Sequence, residues 1–405
     1  MVINLEIKMT KPKILFVGDK YCAGDPKFGL AEWENNLYTS LLETELAEAE
    51  YFHFDEYFIT NQKFGDEALI KKITEYKPNI ICFILYKMPS SDVNVPKWET
   101  LKEINNLKIP LVAIWGDLEN AKQVQISKAI NPYIILHLAT AALSAVKKMG
   151  YPEKYVYMWV PKNPKIFNNP NKVRDIDLSY VGTPKEGRLR KINYLKEHNI
   201  PVIHTGGERQ AHLTTEEYAD MYKRSKITLS FSRASGSHVI NARPFEAMLC
   251  GAMVLEEESI EAPRLYIPFV DYVPYFNKKD LLEKTKYYLE HSKEREEIAQ
   301  NGFIKTSTLY SASKFWQFAI NRVLNKNDSS PYEGETLITI KNPDLSRIPK
   351  LKALKLKFLW ILCSNNFGFK IYMNVKKVFD WRFYRSLIYK SIIKIAPNLQ
   401  KLKHK

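Results

Sequence analysis

Two charged residues, Arg243 and Glu246, stand around a proline and a phenylalanine at the head of the stretch RPFEAMLCGAMVLEEES, Arg243 to Ser259. The stretch then turns small and apolar and ends in three carboxylates, Glu256 to Glu258. A helix built only for packing has no need of Arg and Glu on its first turn. A carboxylate accepts hydrogen bonds on two oxygens, and a guanidinium donates through a fixed fork. Together they have the chemistry to hold a polar ligand. Two plainer roles stay open: Glu246 as an acid favoured by the helix dipole, and Arg243 as its partner across one turn. The three acids that follow read most simply as a solvated loop.

The elements around this pair repeat one pattern. KILFVGD (Lys13 to Asp19), NIICFILY and PLVAIWGD read as buried strands, with YIILHLA and YVYMWVP continuing the sheet. EWENNLYTSLLETELAE, Glu32 to Glu48, reads as one helix. The pattern restarts with DLSYVGT, IPVIHTGG, KITLSFS and GAMVLEE, again separated by helical stretches. DLLEKTKYYLEHSKEREEIAQNG, Asp280 to Gly302, predicts one long helix with Gly302 at its C-cap. Strands separated by helices of this length imply parallel sheets covered on both faces. The expected fold is α/β: two Rossmann-like domains facing a cleft, 1–165 and 166–325, then a linker, 326–350, and a basic helical tail, 351–405.

In such sheets ligands bind beyond the carboxyl ends of the strands. The polar residues just after the strands are therefore the candidates: Asp19, Asp117, Thr183, His204, Gly206, Gly207, Ser230 and Ser232. Asp19 and Asp117 could equally cap the next helix. His204 could equally be a hydrogen-bonded core histidine, and Gly206 and Gly207 a tight turn.

The order LSYVGTPKEGRLR, IPVIHTGG, KITLSFSRASGSHVINARPFEAMLCGAMVLEE and DLLEKTKYYLEHSKEREEIAQNG resembles the carboxy-terminal half of group-1-type glycosyltransferases of GT-B fold. The similarity is nearest to the branch related to spore-maturation glycosyltransferase-like proteins, and it covers Lys13 to Leu324. The resemblance implies that Glu246 accepts from the ribose hydroxyls of a nucleotide-diphosphate-sugar donor. It implies that Arg188 neutralises the diphosphate and that Gly251 lets the next turn approach closely. Gly206, Gly207, Ser232 and Arg243 join this donor-binding set, with Asp19, Asp117 and His238 as the catalytic candidates. His238 stands eight positions before Glu246, where many members carry Glu. Either the donor sugar is recognised differently or catalysis is weak or absent.

Composition limits the alternatives. The net charge is +15, yet Lys341 to Lys405 holds sixteen Lys and Arg against two acids, so the main body is near neutral. That asymmetry argues for an appended surface-binding segment and against a nucleic-acid-binding globule. The tail suits a helix on an anionic membrane surface; a pair of helices docked on the body is the rival. Cys22, Cys82, Cys250 and Cys363 have no metal or redox spacing. No His, Asp and Glu group has metal-ligand spacing either, so the expected chemistry needs no metal. The first residues lack the apolar core of a signal peptide, and FLWILC is too short to span a bilayer. The expectation is a cytoplasmic glycosyltransferase at the inner membrane face, using a nucleotide sugar and a glycan or lipid-linked acceptor, in cell-surface glycan or glycolipid synthesis. An epimerase of the same fold and a non-catalytic sugar-binding relative are the alternatives.

Overall fold

The computed structural model describes residues 11–85, 96–116, 126–127, 129–137, 155–170, 173–183, 186–205, 213–231, 240–259, 262–324, 350 and 354. Asp117, Gly206, Gly207, Ser232, His238 and nearly all of the basic tail lie outside the described residues.

The described strands form two wholly parallel sheets. The first contains β1 (Lys13–Gly18), β2 (Glu48–His53), β3 (Ile80–Leu85), β4 (Leu111–Trp115), β5 (Ile134–His137) and β6 (Tyr155–Tyr157), in the order β2-β1-β3-β4-β5-β6. The second contains β7 (Ile176–Val181), β8 (Ile203–Thr205), β9 (Ser225–Ser230), β10 (Met253–Glu257) and β11 (Val273–Tyr275), in the order β11-β10-β9-β7-β8. Each sheet winds outward in both directions from its first strand. That places the topological switch points, where open sheets bind ligands, beside the ends of β1 and β7. The runs IICFIL and LVAIW are buried along their whole length, as strands covered on both faces require.

Several elements depart from the sequence reading. The helix expected over Glu32–Glu48 stops at Thr44, where Glu45 takes a left-handed φ of 55°. The chain then turns into β2, an edge strand paired only with β1. Within that helix, Glu34–Thr39 is a π-helical turn. The long helix over Asp280–Gly302 is two helices, Lys278–Glu290 and Ser292–Leu309, broken at His291. Gly302 lies inside the second. A Cβ there would come within 2.6 Å of the Asp271 carbonyl oxygen, so this glycine serves close packing and not capping.

The helix Ala312–Leu324 ends the described second half but packs on the first. Trp316 donates through Nε1 to Ser40 Oγ at 2.9 Å and meets the Phe16 ring edge-on at 5.6 Å. One core cluster accordingly runs from Ile14 and Phe16 through Trp159 to Phe315 and Trp316.

Candidate functional site

A cleft of about 470 Å³ opens between the two sheets, and both halves line it. Glu32, Trp33 and Asn36 come from the helix after β1; Thr215, Tyr218, Arg243 and Glu246 come from the second half. Asn35 Nδ2 bridges the halves by donating to Thr215 Oγ1 at 2.7 Å.

Glu246 sits on the short helix Arg243–Leu249, whose second residue, Pro244, presets φ for the first turn where its missing N–H costs nothing. The carboxylate is 3% exposed and both oxygens are engaged. Oε1 accepts from Lys162 Nζ at 2.6 Å, and Oε2 accepts a short hydrogen bond from Tyr218 OH. Lys162, in the crossing between the sheets, also lies 3.5 Å from Glu32 Oε1. Tyr218 OH contacts Tyr222 OH at 3.2 Å. Burial, then the Glu246 charge, raise the pKa of both phenols well above 10, so both remain hydrogen-bond donors. The capping box Thr214-x-x-Glu217 starts the helix Thr215–Arg224 and so fixes where Tyr218 emerges.

The pairing of Arg243 with Glu246 does not occur. Lys162 and Tyr218 take the carboxylate, and Arg243 has no ion pair with a described carboxylate. Its guanidinium instead reaches the end of β7, over Gly182. That residue has φ +128°, and a Cβ there would lie 2.7 Å from Arg243 Nε. Both the backbone angle and the space require glycine in the VGT turn.

The other sequence candidates separate. Asp19 follows β1, as expected, and its carbonyl accepts from Trp33 Nε1 at 2.8 Å and Tyr51 OH at 3.3 Å. Its carboxyl is buried, and among the described residues Oδ1 has no hydrogen-bond partner. Burial, and secondarily the charge of Asp55, push its pKa up to about 8. Arg188 does not line the cleft with Glu246. Its Nη1 donates to Tyr180 OH at 3.1 Å and Thr183 O at 3.0 Å, clamping the turn after β7. Gly251 lies at the amino end of β10, away from the cleft. It has φ +74°, and a Cβ there would meet Arg174 Nη2 at 2.5 Å. The close neighbours at Gly251 are the side chains of Arg174 and Asn169 and not the next turn. His204 is half-buried on β8, its pKa lowered by burial and then by Lys196.

Glu256, Glu257 and Glu258 do not form a solvated loop; all three are buried. Glu257 Oε1 accepts from Lys191 Nζ at 2.8 Å. Two central residues, Lys162 and Tyr218, escape sequence reasoning because their partner Glu246 is 84 and 28 positions away. The capping box Thr214-x-x-Glu217 is the local signal that could have located Tyr218.

Two parallel α/β sheets facing one cleft, with the last helix returned to the first sheet, define the GT-B class of fold. Residues 174–321 match the glycosyl transferase-like family, so the resemblance to group-1-type GT-B glycosyltransferases rests on both fold and sequence. Two structures of Anabaena HepE, one in complex with UDP and glucose and the other with UDP-glucose, are similar at TM-scores of 0.52 and 0.51. Both are 14% identical to this chain and cover 78% of it and 100% of HepE. No curated protein matches the sequence.

Proposed function

We propose that this protein is a glycosyltransferase that binds a nucleotide-diphosphate sugar in the cleft and transfers the sugar to a hydroxyl acceptor. The observation that carries the reading is the juxtaposition, on one cleft wall, of a buried, held carboxylate, Glu246, with Arg243, which among the described residues has no ion pair with a carboxylate. A carboxylate has about four lone-pair sites. Lys162 and Tyr218 take one on each oxygen, which leaves room for the two hydroxyls of a ribose diol. Arg243 stands where a diphosphate would need a cation, stabilising the charge that grows on the leaving group. The HepE complexes with UDP-glucose, on a similar fold, support a nucleotide sugar as the ligand class.

The first sheet brings the acceptor side. Asp19, with its pKa near 8, carries a proton at neutral pH and becomes a base for an acceptor hydroxyl as pH rises past that value. Asp117, next in sequence to the cleft residue Gly116, and His238 complete the catalytic set on sequence position alone. The tail, 351–405, supports action near a membrane and so a lipid-linked or surface-glycan acceptor. Truncation at Lys350 should abolish sedimentation with anionic vesicles, and equal sedimentation of both forms would remove that part of the reading.

The test is calorimetric titration with UDP-glucose, UDP-galactose, UDP-N-acetylglucosamine and GDP-mannose. Glu246→Gln keeps the shape but loses the charge, and should weaken binding of the accepted sugar nucleotide about tenfold or more. Unchanged affinity would overturn the assignment.

A further inference from the structure

The first half also contributes a buried polar group to the cleft wall. Asn36 lies in the π-helical turn Glu34–Thr39, on the cleft wall, and is 2% exposed. Its Nδ2 donates to Glu32 Oε1 at 3.2 Å. Among the described residues its Oδ1 has no hydrogen-bond partner. The orientation of the amide follows from Glu32. Turning it over would set a carbonyl oxygen against a carboxylate oxygen, two acceptors facing each other. The vacant atom is therefore an acceptor, and what completes it must be a hydrogen-bond donor.

Three facts set this group apart from an ordinary buried side chain. A buried acceptor left without a partner is costly, so native proteins keep few of them. π-helical turns inside helices occur often at functional sites. Here the same turn also presents Asn35, which ties the halves together through Thr215. Finally, Glu32 touches Lys162, and Lys162 holds Glu246. Asn36 thus stands one glutamate and one lysine away from the carboxylate read as the ribose ligand.

We infer that Glu32 and Asn36 form a hydroxyl-recognition subsite, in which Asn36 Oδ1 accepts from a hydroxyl of the nucleotide-sugar donor while Glu32 fixes the amide. The inference rests on the reading of Glu246 as a nucleotide-sugar ligand. It gives the first half a share in selecting the donor, which is normally the work of the second half in this reading. The hydroxyl belongs either to the ribose or to the transferred sugar.

The test compares wild type, Asn36→Leu and Glu32→Ala by calorimetry against the four sugar nucleotides named above and against UDP and GDP alone. Leucine fills the same space without polar atoms, so the melting temperature without ligand should stay within a few degrees. Affinity for the accepted sugar nucleotide should fall about tenfold, the scale of one lost hydrogen bond to a buried group. Glu32→Ala, at an exposed position, frees the amide to turn and should cost about threefold. An equal loss with the nucleoside diphosphate assigns the hydroxyl to ribose; a loss confined to the sugar nucleotide assigns it to the sugar. Both variants binding within twofold of wild type would overturn the subsite and leave the function standing. A fall in melting temperature for Asn36→Leu with unchanged affinity for Glu32→Ala would make the role structural and also overturn it. A wild type that binds none of the six probes would take down the functional reading and the subsite together.

Discussion

Glu246 and Asp19 occupy comparable places, one in each half, near the carboxyl ends of parallel strands, and their surroundings are opposite. Glu246 has a lysine 2.6 Å from one oxygen and a phenol on the other. Asp19 has a second carboxylate, Asp55, as its charged neighbour, and its pKa is pushed up to about 8. Asp55 accepts from the backbone N–H groups of Lys20, Tyr21 and Glu56 and is not free to help. The same depth of burial thus leaves one acid clamped by a cation and the other holding a proton. Position relative to the sheet does not decide what an acid can do; the nearest cation does.

The comparison breaks first at Lys162. Lys162→Met leaves a buried carboxylate without its cation and should destabilise the protein by about 3–5 kcal/mol in urea unfolding. Adding Glu246→Gln should return most of that loss, because the uncompensated charge goes with it. A loss below about 1 kcal/mol for Lys162→Met would show that the pair is not what sets Glu246 apart.

Asp19 sharpens the comparison with a smaller, pH-dependent effect. Between the unfolded value of 3.8 and about 8, the folded protein keeps a proton that the unfolded chain has released. Stability therefore falls as pH rises through that window, by at most about 1.4 kcal/mol per unit. Asp19→Asn removes this dependence. Between pH 6 and pH 8 wild type should lose about 2 kcal/mol more than the variant. Parallel pH profiles for the two proteins would mean that Asp19 is ionised throughout.

Much of the fold was legible because parallel strands covered on both faces write themselves as unbroken apolar runs, as in IICFIL. The misses have particular causes. β2, EAEYFH, is a half-buried edge strand without an unbroken apolar run, and the expected helix ran into its first residue, Glu48. The break at His291 carries neither Gly nor Pro, so nothing local announces it. In the site, Glu246 was legible because Arg and Glu are out of place on an apolar helix. Lys162 was not, since a lysine flanked by prolines reads as a surface loop until the crossing between sheets buries it. The burial of Glu256 to Glu258 was hidden for the same reason: a run of acids describes its composition and not its cover.

The return of the helix Ala312–Leu324 to the first sheet means that the chain passes between the halves twice. With the second crossing anchored on the first sheet by the packed helix, any opening of the cleft is confined to a swivel about the line that joins the two crossings. After a protease cut in the first crossing, the halves would stay together only through the packing of Trp316 on Ser40 and Phe16.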